Sequence, residues 1–341
     1  ESFFTELKRI YGILGCPEDT ELYIEKGTGH AYSVTMASEV VKRLNRRFKN
    51  GEAVKSLTSA DITYMEEEKL ACHPSGKVNM FTINAQRSRM YAETRKKHTP
   101  DELKQLLKKL LVLDSIPSIE KVEEDTSATP SWQHQIYPTI LTFDSVKQLP
   151  GIFVRRLDNQ KRGCILWLDG KDKWNAIEGG GFFPGNPIGL LNRYPKEDEV
   201  SLFSVEVSGL GELEMQRSYY DMCSWNRIER IISYLSFSQG RPLMSYLVRD
   251  ALIAVEYLKS RDDVDEKGII LGGSGLGALT ALLTAVLSDD IHRVILHKLP
   301  PSYSEIVENE GLPWTESMMI PHILQYTDLP ELLEAVETTI I

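Results

Sequence analysis

The chain has 341 residues, of which 42% are apolar and 26% charged, with a formal net charge of −10. That length suits one large domain or two ordinary ones, and the negative charge argues against nucleic acid or an anionic membrane surface as a partner. No apolar run approaches the roughly 20 residues that a membrane-spanning helix needs. Cys16, Cys72, Cys164 and Cys223 are too widely spaced for a zinc site or a disulfide framework, so neither metal nor cofactor is expected. The chain begins Glu1-Ser2-Phe3; the natural N-terminus is expected upstream, and the cellular compartment is not readable.

Residues 1–15 predict a helix, because Phe3, Leu7, Ile10, Tyr11 and Leu14 recur at helical spacing and Gly15 is a natural stop. Alternation around Leu22 and Ile24 predicts a strand over 21–25. A loop carrying His30 follows, then a second helix with Met36, Val40, Val41 and Leu44 on one face and arginines in its last turns. Between Leu70 and Val78, Pro74-Ser75-Gly76 reads as a tight turn between two strands. Neighbouring Cys72 and His73 lack partners at metal-ligand spacing. Thr99-Pro100-Asp101-Glu102 opens a helix whose stripe of Leu103, Leu106, Leu107, Leu110 and Leu111 is most simply core packing. Residues 117–133 read as a linker or surface crossing.

From residue 136 the pattern alternates strand and helix. Strands are expected at Ile136 to Phe143, Gly151 to Arg156, Cys164 to Leu168, Leu202 to Val207, Ile269 to Leu271 and Val294 to Leu296, with a helix over Leu243 to Leu258. Such alternation implies a mostly parallel sheet with helices on both faces and ligands gathered beyond the carboxyl ends of the strands. Asp169-Gly170, Ser208-Gly209 and Ser274 fall on that edge. Near the end, Asp328 before Leu329-Pro330 is a strong N-cap, His322 reads as a core or surface histidine, and a strand starts at Thr338.

The chemistry-bearing stretch is Gly268-Ile-Ile-Leu-Gly-Gly-Ser-Gly-Leu-Gly-Ala278. A strand that turns sharply into a helix with a serine at the turn is the layout of a nucleophile elbow, and the free N–H groups at the helix start could stabilise an oxyanion. The spacing departs from G-x-S-x-G. With Ser274 as the serine of the motif, the closing position is Leu276, and the next glycine, Gly277, comes one residue late. A glycine-rich turn without chemistry fits the same residues.

Several segments resemble α/β-hydrolases of the acetyl xylan esterase and dienelactone hydrolase type. They are Val205-Glu-Val-Ser-Gly-Leu-Gly-Glu212, the helix from Arg249 to Ser260, Val264-Asp265 with Gly268 to Ser274, Asp290 to Val294 and Asp328-Leu329-Pro330. The likeness covers residues 135–341 and implies an α/β-hydrolase fold. Ile10 to Gly15, Leu22 to Lys26 and Gly29-His30-Ala31-Tyr32-Ser33 resemble the end of such a domain, including its catalytic-histidine loop. This divides the chain into 1–52, the closing strand, histidine loop and helix of a hydrolase domain; 53–134, an irregular linker region; and 135–341, a hydrolase domain truncated at its C-terminal end. Either the chain is part of a tandem-domain protein, or residues 1–52 complete the 135–341 domain as in a circular permutant.

The resemblance implies a serine carboxylesterase that deacetylates carbohydrate through an acyl-enzyme. Ser274 would be nucleophile and His30 base, with oxyanion donors from Gly275 and the Gly170 turn. No residue can be assigned as the orienting acid. A small-molecule or polysaccharide ester is the implied substrate, and a homo-oligomer or a neighbouring hydrolase domain the implied protein contact. Leu276 at the elbow, Ser208 where the family suggests arginine and Asp169 where many hydrolases have histidine equally fit a catalytically degenerate domain that acts as a binding or structural module. Trp167, Trp174, Phe182, Phe183 and Trp314 are candidates for a sugar-stacking wall, though core is the plainer reading, and Gly179-Gly180-Gly181 suggests a lid.

Overall fold

A computed structural model describes residues 2–51, 58, 60, 63, 65–70, 78–127, 134–158, 160–178, 200–214, 228–291, 293–309 and 314–340. The chain divides into two compact units, Glu1–Gly76 and Lys77–Ile341.

The first unit contains α1 (Ser2–Ile13), α2 (Val34–Phe48) and the short α3 (Glu67–Leu70). Gly15 closes the first helix with φ 78°, a conformation that only glycine adopts cheaply. Ser33 caps α2 by accepting the Met36 N–H at 3.1 Å. Arg43 and Arg46 on that helix pair with Glu21 at 3.3 and 3.0 Å. The strand expected over 21–25 is not formed, because a strand needs a hydrogen-bonding neighbour and none of the unit's described residues supplies one. Among these residues only Ser38 and Asn45 are buried, while Val40 and Leu44 stay exposed. The expected hairpin at 70–78 lies largely outside the described residues.

The second unit is built on one eight-stranded sheet. After α4 (Met80–Thr94) and α5 (Pro100–Leu110) come β1 (Lys121–Glu124), β2 (His134–Phe143), β3 (Lys147–Arg156) and β4 (Arg162–Leu168). Then follow α6 (Asn175–Glu178), β5 (Ser201–Val205), α7 (Ile228–Ser238), α8 (Leu243–Lys259), β6 (Val264–Ser274) and α9 (Leu276–Leu287). The chain closes with β7 (Arg293–His297), α10 (Tyr303–Glu308), α11 (Leu329–Leu333) and β8 (Glu337–Ile340). The sheet order is β1-β2-β3-β5-β4-β6-β7-β8. β1 to β3 form an antiparallel meander, β3 pairs antiparallel with β5, and the remaining strands run parallel. Alternate residues of β4 enter two separate cores: Cys164, Leu166 and Leu168 on one face, Ile165 and Trp167 on the other. That is the two-residue period of a strand covered on both sides. Helix α9 is buried along its whole length; it is apolar apart from Thr280 and Thr284, whose hydroxyls donate to carbonyls one turn back.

The structure redraws the boundary expected near residue 135. The leucine stripe of α5 enters the main core, with Leu107 and Leu111 fully buried, and Ser245 of α8 donates to the Leu111 carbonyl. β1, within the stretch expected to be a linker, pairs with β2 from Lys121↔Thr142 to Glu124↔Thr139. Amphipathic spacing marked α5 correctly as core-packing, but it cannot say which core. Since α5 belongs to the sheet's unit, Leu107→Ala should destabilise that unit by about 2–5 kcal/mol, seen as a lower urea midpoint; an unchanged midpoint would return the helix to linker status.

Candidate active site

The parallel strands deliver four loops to one edge: Asp169-Gly170 after β4, Glu206 to Ser208 after β5, the glycine turn after β6, and Lys298 after β7. In the β6–β7 ladder Ser274 stands directly opposite His297. The Ser274 hydroxyl lies 3.0 Å from His297 Nδ1. Beside this contact, the Gly275 N–H donates to the His297 carbonyl at 2.9 Å.

The sharp turn itself is one residue further on. Ser274 is the last residue of β6, and the strained residue is Gly275, with φ 59° and ψ −116° at the start of α9. The elbow spacing is therefore Gly273-Ser274-Gly275-Leu276-Gly277, with glycine where the nucleophile belongs. The glycine that seemed one residue late is in place in this frame, and packing explains both outer glycines. A Cβ on Gly277 would overlap the Leu168 carbonyl, and one on Gly273 would overlap the Gly277 carbonyl. A Cβ on Gly275 would meet nothing within 4 Å, so the tip of the turn is open but carries no side chain.

The neighbouring polar groups are occupied with holding the loops. Asp169 is buried and accepts the Lys171 N–H at 3.0 Å, the Asn175 amide at 2.8 Å and the Trp167 indole at 3.4 Å. Buried Lys173 pairs with Glu206 at 3.1 Å and with Glu212. Glu206 also accepts the Glu212 N–H at 2.7 Å. Asp250 on α8 accepts the backbone N–H of Ser208 at 2.8 Å and its hydroxyl as well; burial raises its pKa, against the pull of Ser208 and Arg249. Partial burial and the nearby Lys298 charge lower the His297 pKa, opposed by Asp169.

These observations place each expected site residue. Ser274 is at the sheet edge but on the strand, one residue short of the turn. The Gly275 N–H, expected as an oxyanion donor, is committed to the β7 ladder. Gly170 does approach the elbow: a Cβ there would stand 3.2 Å from the Ser274 carbonyl oxygen and 3.6 Å from the Leu276 nitrogen. His30 sits on an exposed loop of the first unit, and the imidazole against Ser274 is His297. The sequence did hold a signal for His297, since it directly follows the apolar run of β7 and so reaches the same edge. Trp167 is core and Trp174 is 41% exposed; Phe182, Phe183 and the 179–181 glycines lie outside the described residues. Among the described residues no group of His, Cys, Asp and Glu could hold a metal ion.

Two measurements test this geometry. Gly277→Ala should cost at least about 2 kcal/mol through the overlap with backbone. Gly275→Ala should cost about 1–2 kcal/mol from its positive φ alone. Equal effects in urea unfolding would contradict the frame. A depressed histidine pKa contributes stability above the unfolded value of about 6.5 and loses it as pH falls through the folded value. His297 should accordingly titrate below about 6.5 by NMR; a midpoint above that would reverse the balance of charges assigned here.

No protein-family model matches the sequence, and no curated protein matches it. Solved structures do match in shape. A Bacteroides fragilis protein assigned as an acetyl xylan esterase superimposes with TM-score 0.60 at 13% identity, over 75% of this chain and 73% of its own. Acetyl xylan esterase 1 from Thermoanaerobacterium gives TM-score 0.45 at 15% identity, over 75% and 81%. At such identities the likeness is one of backbone, and the Bacteroides match carries it: the chain has an α/β-hydrolase fold, a mostly parallel sheet with helices on both faces, of the kind found in acetyl xylan esterase-type proteins.

Proposed function

We propose that the second unit is an esterase-type hydrolase domain that no longer forms an acyl-enzyme and serves as a binding or structural module, in oligomerisation or against a neighbouring hydrolase domain. The observation that carries this reading is the glycine at the strained position of the elbow. Acyl transfer needs a nucleophile held at the turn, a base oriented by a third group, and oxyanion donors aimed at the reacting carbonyl. At this elbow the turn offers no hydroxyl. The Gly275 N–H is already bonded. His297 meets Ser274 through Nδ1, the nitrogen that an orienting carboxylate would otherwise hold.

One observation favours a second reading. Ser274 and His297 are within hydrogen-bond reach, and a lowered pKa keeps the imidazole neutral, as a base must be. On that reading the dyad hydrolyses small acetyl esters, and the acetyl xylan esterase assignment of the Bacteroides neighbour suggests polysaccharide acetates as the substrate class. His30 lies in the first unit. Its unit buries no apolar side chain among the described residues, which supports the idea that residues 1–52 are the closing segment of a hydrolase domain that His30 serves.

A fluorophosphonate probe separates the two readings. The degenerate domain should leave Ser274 unlabelled, and p-nitrophenyl acetate turnover should be the same in wild type and Ser274→Ala. Labelling of Ser274, with turnover lost in both Ser274→Ala and His297→Ala, would establish the dyad instead.

A further inference from the structure

Strand β1 ends the sheet, and among the described residues β2 is its one strand neighbour. Glu124 stands opposite Thr139 in that ladder, and one step further the Asp125 N–H donates to the Pro138 carbonyl at 2.9 Å. Successive residues of an antiparallel strand turn their backbone groups to alternate sides. Lys121, Glu123 and Asp125 therefore give theirs to β2, and the N–H and C=O of Val122 and Glu124 point outward. At the start of the strand the Glu120 N–H also turns to β2, reaching the Thr142 carbonyl at 2.8 Å, a bulge that ends the regular ladder. Lys121, Val122 and Glu123 are exposed, so this row of outward groups is open to another strand.

The side chains alternate as well. Lys121 and Glu123 share one face and pair with each other along the strand at 2.6 Å. Val122 and Glu124 take the other face, toward α8. There Val122 lines an apolar groove of about 560 Å³ with Ile116, Ile119 and Leu252. Glu124 bonds to Tyr257 and Arg261 and so anchors the strand to the body of the unit. Charges on a sheet edge normally repel an incoming strand. On β1 they have opposite signs and flank a valine, so the edge complements a reversed copy of itself.

We propose that β1 pairs antiparallel with β1 of a second copy of this chain, about a two-fold axis through Val122. An axis normal to the sheet keeps every side chain on its own face, and each exposed residue of β1 offers one such register. Centred on Lys121, lysine meets lysine; centred on Glu123, glutamate meets glutamate; both are unfavourable. Centred on Val122, Lys121 of each copy faces Glu123 of the other, twice. The outward N–H and C=O of the two Val122 residues then exchange two hydrogen bonds, and their side chains meet beside the apolar groove. Glu120 and Glu124 flank this centre, and both carboxylates are committed within their own chain. Glu120 accepts the Ser145 N–H at 2.9 Å, and Glu124 holds Arg261. The pairing deepens the oligomerisation role proposed above by assigning its surface. Strands β2, β3, β5 and β4 separate β1 from β6, so pairing at β1 and labelling of Ser274 can fail separately.

Sedimentation velocity of the full chain tests this, over a concentration series reaching about 1 mM because a short strand pair is a weak interface. Wild type should show a monomer–dimer equilibrium. Val122→Pro removes the outward N–H at an edge position where proline is tolerated. Its circular dichroism should be unchanged, and its dimer should be weaker by at least about ten-fold. Lys121→Glu and Glu123→Lys should each weaken self-association by about ten-fold, because each sets like charges opposite one another twice. Mixing these two variants should restore association, since each then faces the opposite charge in the other. A monomer throughout the series, a dimer that Val122→Pro leaves unchanged, or a mixture of the charge variants no tighter than either alone would each overturn the proposal.

Discussion

The contact on which the elbow depends is backbone against backbone. Helix α9 starts so close to β4 that Gly277 lies against the Leu168 carbonyl, and Gly273 lies against Gly277 in turn. No side chain fits in either gap. With those two glycines in place, the residue midway between them must make the sharp reversal, and that residue is Gly275. The positive φ at the turn, the helix axis and the register of Ser274 against His297 all follow from this spacing.

The same constraint separates two properties that a motif search merges. A serine near a glycine-rich turn need not occupy the strained position at which a nucleophile elbow carries its side chain. Ser274 is held in the β6–β7 ladder, where its neighbours are chosen by strand register. Its hydroxyl therefore meets the side chain directly opposite, His297, whichever histidine elsewhere in the chain resembles a catalytic one. The charged groups around it serve structure. Asp169 organises the turn after β4, the Lys173–Glu206–Glu212 group ties β5 to that turn, and Asp250 caps the loop at Ser208. Each satisfies buried polar atoms that would otherwise be costly. The described polar groups at this edge of the sheet are bonded to one another.

Sequence periodicity identified most of the second unit's elements. The runs at Cys164 to Leu168 and Val294 to Leu296 are strands buried on both faces, the capping signals at Thr99 and Asp328 start helices, and the apolar stretch after Gly277 is the buried α9. Elements with weak local signals were missed. Helix α4 has no clear apolar stripe, and Arg89 and Arg95 at its C-terminal end pair with Glu308 and Glu331. The segment at 21–25 erred in the other direction, since alternation describes a strand only where another strand supplies hydrogen bonds.

By itself, the sequence determined the class of fold, the sheet edge where chemistry would lie, and the glycines of the elbow, because hydrophobic period and glycine spacing are local properties that survive in any register. Only the tertiary structure decided which residue turns the corner, that His297 is the imidazole against Ser274, and that the Gly275 N–H is already bonded. Those facts depend on which strands lie side by side and on how closely a helix can approach a sheet, and neither distance is written in the order of the residues.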